Sequence, residues 1–104
     1  MPPSASPYWI LDADGTPVPF VGTLSDWAEW MEANRARVRV ADTRLGRFRV
    51  STIFVGTDAA WPYFETMTFA PKDSGLDLQT ARTRTLAEAE EAHARAVALV
   101  RSKL

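Results

Sequence analysis

The sequence predicts an α+β fold: a mainly antiparallel sheet, in the order β-β-α-β-β-β-β-α, with two helices packed on one face. Three observations carry that expectation. Between residues 35 and 84 apolar and polar side chains alternate with a period of two, as half-buried strands require. Apolar stripes with helical spacing flank this region, and each opens on a capping-box pattern. Short connections are punctuated by glycine and proline. Strands gathered in the middle with helices at the ends read as α+β.

The elements follow in order. Residues 1–7, rich in Pro, Ser and Ala, read as a flexible tail, and residues 8–104 as a single α+β domain. A short strand is expected at 8–11 and a turn at 12–15. An irregular, edge-like strand follows at 16–21, because Pro17 and Pro19 have no N–H to give a ladder. A helix is expected over 23–34, with Leu24, Trp27, Ala28 and Met31 on one apolar stripe and Trp30 on its border. Thr23 and Asp26 form its capping box.

Residues 35–43 and 47–56 read as a hairpin. A loop of Arg44, Leu45 and Gly46, with Gly46 left-handed, would set Arg39 opposite Ser51, Ala41 opposite Arg49 and Thr43 opposite Arg47. A longer loop would place Arg39 across from Arg49, which like-charge repulsion disfavours. Residues 51–55 are apolar on both faces and belong inside the sheet. In the strand at 63–69, Phe64, Thr66 and Thr68 share one face, and Glu65 shares the other with Tyr63, Met67 and Phe69. A weaker strand is expected at 76–84. The last helix starts at a full capping box, Thr85 with Glu88. Its inner stripe is Leu86, Ala89, His93, Ala96, Val97 and Val100, and Glu91 with Arg95 makes an i, i+4 pair outside.

Bulk composition narrows the chemistry. At 104 residues, 46% apolar and 24% charged, the chain suits one globular domain. A net charge of −1 gives no overall pull toward nucleic acid or anionic lipid. There is no cysteine, hence no disulfide, thiolate nucleophile or Cys-based metal site. No stretch reads as a signal peptide, and none approaches the ~20 apolar residues of a membrane span. The expectation is a soluble cytoplasmic protein that does not engage a membrane and uses neither metal nor cofactor.

Charge is distributed unevenly. Six of the 12 cationic residues are arginines within positions 35–49. On a strand, Arg35, Arg37 and Arg39 would share one face, with Ala36, Val38 and Val40 on the other; Arg47 and Arg49 would repeat the pattern. Arg82 and Arg84 add the same spacing on a neighbouring strand. Such a ribbon could grip an acidic protein surface or phosphates, since the planar guanidinium fork suits both. It could equally be neutralised from within by Glu65, Asp77 or helix carboxylates. Trp61 and Tyr63, beside the loop at 56–62, fit either interface anchors or covers for the core edge.

Other motifs point to less. The run Asp12, Ala13, Asp14, Gly15, Thr16 after an apolar strand resembles the first motif of haloacid-dehalogenase-type phosphatases, whose first Asp attacks phosphorus beside Mg²⁺. That chemistry needs a larger domain, a distant Lys and a further acidic pair, and a hairpin turn explains the run more simply. A calcium loop lacks its later acidic positions here. His93 is the one histidine; as a catalyst it would need a partner such as Glu65, and otherwise it is a core imidazole bonded to its surroundings.

Three stretches resemble a set of small uncharacterised proteins of tailed phages, prophages and bacterial genomes. They are residues 8–18 leading to Trp27, Ala28, Glu29 and Trp30; residues 50–58 followed by 64–69; and Thr85, Glu88, Ala89 and His93. Members of that set carry Gly-Gly where this chain has Ala70 and Pro71. The resemblance implies a mobile-element origin and brings no activity, cofactor or catalytic residue. The expected function is a small non-enzymatic protein-binding module, a phage-derived inhibitor of a host or CRISPR-type defence protein with an acidic surface. Its binding residues would be Arg35, Arg37, Arg39, Arg47, Arg49, Arg82, Arg84, Trp61 and Tyr63. The alternatives are a nucleic-acid-binding accessory protein using the arginine hairpin, and a small enzyme using His93 and Glu65.

Overall fold

The computed structural model describes residues 7–57, 63–76 and 79–104. Its elements are β1 (Trp9–Leu11), β2 (Pro17–Pro19), α1 (Leu24–Ala33), α2 (Arg35–Val38), β3 (Arg39–Leu45), β4 (Phe48–Phe54), β5 (Phe64–Phe69), a 3-10 turn (Lys72–Ser74), β6 (Gln79–Thr83) and α3 (Leu86–Arg101). This is an α+β fold with two antiparallel sheets, the ribbon β1–β2 and the meander β3–β4–β5–β6.

Both capping boxes form. Thr23 Oγ1 accepts from the Asp26 N–H at 3.1 Å while Asp26 Oδ2 accepts from the Thr23 N–H at 3.2 Å. Thr85 and Glu88 make the same reciprocal pair at 3.0 and 3.1 Å. Each box satisfies amides that the first helical turn leaves without partners.

The long helix α3 lies across all four strands of the meander. Its Ala89, His93 and Val100 are buried against the sheet. Strand β4 alternates strictly: Phe48, Val50, Thr52 and Phe54 are buried toward α3, with Arg49, Ser51 and Ile53 between them. On β5 the inward set is Phe64, Thr66 and Thr68. Two apolar clusters result. Trp9, Leu11, Phe54, Tyr63, Phe64 and Ala89 form one; Phe48, Val50 and Val100 form the other.

Helix α1 does not share that face. It leans on β1 and α2, and its contact side is Trp27, Trp30 and Met31, whereas Leu24 (58% exposed) and Ala28 point to solvent. Trp27 turns its indole N–H to the Trp9 carbonyl at 2.9 Å and stacks on Tyr8, so the aromatic residues rotate the expected stripe toward the ribbon. The ribbon is anchored by the Trp9 N–H to the Gly56 carbonyl at 2.8 Å. Gly56 has φ +74, and a Cβ there would lie 2.9 Å from the Trp9 carbonyl oxygen. Only glycine allows that approach.

The hairpin differs from expectation. Residues 35–38 are a helical turn whose first amide bonds run from Arg37 and Val38 to the Asn34 carbonyl. Arg, Ala and Arg are good helix formers, and three alternations are too few to separate a strand from one more turn. The loop is Gly46–Arg47, with Leu45 paired to Phe48 and Gly46 at φ +61. Arg44 therefore faces Arg49 directly, and Arg39 pairs with Ile53 across a bulge before Ala41. The bulge reverses the alternation, so Ala41, Thr43 and Leu45 point inward after Val40 has.

Candidate functional site

The expected arginine ribbon is dispersed. Arg35 sits on α2 and pairs with Glu32 at 3.4 Å, both largely exposed. Arg37, also on α2, donates to the Asp12 carbonyl. Arg47 occupies the hairpin turn and meets Asp73 at 3.4 Å. Arg49 grips Asp42 with two bonds, Nε at 3.0 Å and Nη2 at 2.7 Å. Arg82 holds Glu65 at 3.1 Å. The Arg84 backbone N–H donates to Glu88. Arg39 and Arg44 have no ion pair among the described residues. Tyr63 is buried against Trp9, ring centroids 4.5 Å apart, so it serves the core rather than a surface. Trp61 and Asp77 lie outside the described residues.

What the strands do bring together is the sheet face away from α3. Reading across the register, Arg44, Arg49 and Phe69 form one row; Asp42, Ser51, Met67 and Thr80 the next; Arg39, Ile53, Glu65 and Arg82 the third. No helix packs on this face among the described residues. Its middle is apolar: Ile53 and Met67 are half-buried by their neighbours, and Phe69 is 41% exposed. Charged groups surround it. The Arg49 guanidinium lies 5.7 Å from the Phe69 ring centre, within cation–π range. The bonds from Arg49, reinforced by the nearby charges of Arg39 and Arg44, hold the Asp42 carboxyl below its ordinary value, against a smaller opposing effect of burial. Glu65, only 17% exposed between apolar neighbours, takes the cation that its setting requires from Arg82.

On the covered side a polar chain crosses the core. His93 Nε2 is 2.8 Å from Thr43 Oγ1, and His93 Nδ1 is 2.8 Å from Thr52 Oγ1. Thr52 Oγ1 is in turn 2.7 Å from Thr66 Oγ1. On β4, Thr52 falls between Val50 and Phe54, so this chain separates the two apolar clusters. Burial pushes the imidazole below its ordinary value, with the charge of Asp42 opposing. A neutral ring satisfies the chain in either direction: one nitrogen donates, the other accepts, and the hydroxyls turn to match. Both ring nitrogens of His93 meet threonine hydroxyls. Glu65 alternates with Phe64 and Thr66 and lies on the opposite face with Arg82, so His93 and Glu65 do not meet. The acid–base pair read from sequence is not assembled. The three threonines escaped the sequence reading, although inward threonines on adjacent strands under a lone inward histidine were a signal.

The Asp12–Thr16 run is a turn. Asp12 Oδ1 accepts from the Asp14 and Thr16 amides at 2.9 and 3.0 Å, which occupies the carboxylate with its own backbone. Beside it, a cleft of about 290 Å³ sets Arg37 and Arg39 among Asp14 and Glu90. Comparison with protein-family models, with curated proteins and with solved structures returns no match. Among the described residues no group of three or more His, Asp or Glu could hold a metal ion. No helix among them is long and apolar enough to cross a membrane.

Proposed function

We propose that the chain is a small non-enzymatic protein-binding module that works in the cytoplasm and meets its partner with the uncovered sheet face. The observation that carries this reading is the exposed Phe69, with Met67 and Ile53, inside a border of Asp42, Arg44, Arg49, Glu65 and Arg82. An apolar centre with a polar rim is the usual anatomy of a protein interface. The face carries four arginines (Arg39, Arg44, Arg49 and Arg82) against two carboxylates, and Arg39 and Arg44 have no acid of their own among the described residues. It therefore suits a partner that presents an apolar knob with carboxylates beside it. A host or defence protein is the partner class that the phage-protein resemblance favours.

The test is affinity capture from a lysate of the source organism at low and at moderate salt. The wild type should retain one protein partner, and Phe69→Asp should lose it while keeping the wild-type circular dichroism. Capture of nothing at either salt overturns the reading. So does retention of a labelled single-stranded oligonucleotide that falls steeply with salt, because phosphate contacts would then dominate.

A further inference from the structure

The edges of the two sheets are not treated alike. Strand β2 carries Pro17 and Pro19, which cannot donate to an added strand. Strand β3 enters through a bulge and follows directly on α2. Both are devices that discourage pairing. Strand β6, the other end of the meander, has neither proline nor bulge, and Gln79, Thr80, Ala81 and Arg82 are exposed. Behind it runs a groove of about 210 Å³ between β6 and α3, lined by Thr66, Thr68, Ala81, Ala92, Ala96 and Leu99 among others. Leu99 is 37% exposed on the helical wall.

We propose that β6 is the pairing edge for a second copy of this chain, giving a two-fold dimer with one sheet continuous through both copies. The edge is complementary to itself. In antiparallel pairing about Ala81, each Ala81 faces its twin, Thr80 faces Arg82, and Gln79 faces Thr83. No like charges oppose each other, and each Arg82 is already neutralised by its own Glu65. A two-fold contact uses the same patch from both copies, so the groove wall with Ala92, Ala96 and Leu99 faces its own counterpart. The two-fold axis stands normal to the sheet, and both uncovered faces therefore point the same way. The dimer would present two copies of the partner-binding face side by side, yet it stands on the edge and groove alone.

Sedimentation velocity or light scattering across a micromolar concentration series tests this on the full chain. The wild type should reach twice the 11.6 kDa chain mass as concentration rises. Ala81→Lys and Leu99→Lys, both at exposed positions, should raise the dimer dissociation constant by roughly tenfold or more with unchanged circular dichroism. Phe69→Asp, on the other face, should leave the dimer intact. A wild type that stays monomeric overturns the proposal. A dimer untouched by both edge variants, or one dissolved by Phe69→Asp, overturns it equally and leaves the partner-binding reading to its own experiment.

Discussion

The two faces of the four-stranded sheet invert the usual order. Under α3, among Phe54, Phe64, Val50 and Val100, lie an imidazole and three hydroxyls. On the uncovered side, among ion pairs, lie the half-buried Ile53 and Met67 and the exposed Phe69. The difference lies in how tightly each face is constrained. A buried polar group must find all its partners inside, so the Thr–His chain depends on β3, β4, β5 and α3 holding their relative positions. The outer face has water as a standing alternative, and its pairs contribute little to stability. Stability therefore resides on the covered side.

The sharpest way to break this comparison is Thr52→Val, which keeps the shape and removes the hydroxyl that joins His93 to Thr66. Two buried polar groups lose a partner, and unfolding free energy should fall by about 2–4 kcal/mol. Combining it with His93→Leu should cost less than the two changes added together, since the ring that was left short has gone. Chemical denaturation of the singles and the double measures this; strict additivity would mean that the chain is not a unit.

Particular residues show what the sequence could and could not reveal. Local rules succeeded: Thr23 with Asp26, Thr85 with Glu88, the inner stripe of α3, and Glu91 with Arg95 at 2.5 Å all involve neighbours a few positions apart. The strict alternation of β5 also put Thr66 and Glu65 on opposite faces, as they are. Failure came where a distant contact decided. The hairpin register was argued from repulsion between arginines, but Asp42 relieves the Arg44–Arg49 pair, and the pairing of Leu45 with Phe48 wins. The bulge before Ala41 flips a strand's parity, and no residue type announces it. His93 was placed inward correctly; its two partners come from β3 and β4, and finding them required the register to be known.

A smaller effect should appear with pH. The chain has one histidine, and its folded value is held below 6.5 by burial. Above 6.5 both states are neutral at this site and nothing changes. As pH falls below that value the unfolded chain takes up a proton that the native core resists, so stability declines until the folded value is passed. The slope is bounded by one proton, about 1.4 kcal/mol per pH unit. Asp42 acts in a separate window: Arg49 lowers its value, so its contribution is present above 3.8 and fades in stronger acid. Urea midpoints from pH 5 to 8 should slope for the wild type and lie flat for His93→Leu. A wild type already flat over this range would show that the imidazole is not insulated from water.

The smallest effect belongs to the outer face and tests whether its charges serve the fold at all. Glu65 and Arg82 form a pair whose partners are unequally exposed, 17% for the carboxylate and 43% for the guanidinium. Removing the cation strands a partly covered carboxylate between Ile53 and Met67, while removing the carboxylate releases an arginine that reaches water easily. Arg82→Ala should therefore destabilise by about 1 kcal/mol and Glu65→Gln by about half that, both shrinking in high salt. The order matters more than the sizes. If Glu65→Gln costs more than Arg82→Ala, the carboxylate is wanted for its own sake, and the outer face is held as firmly as the inner one.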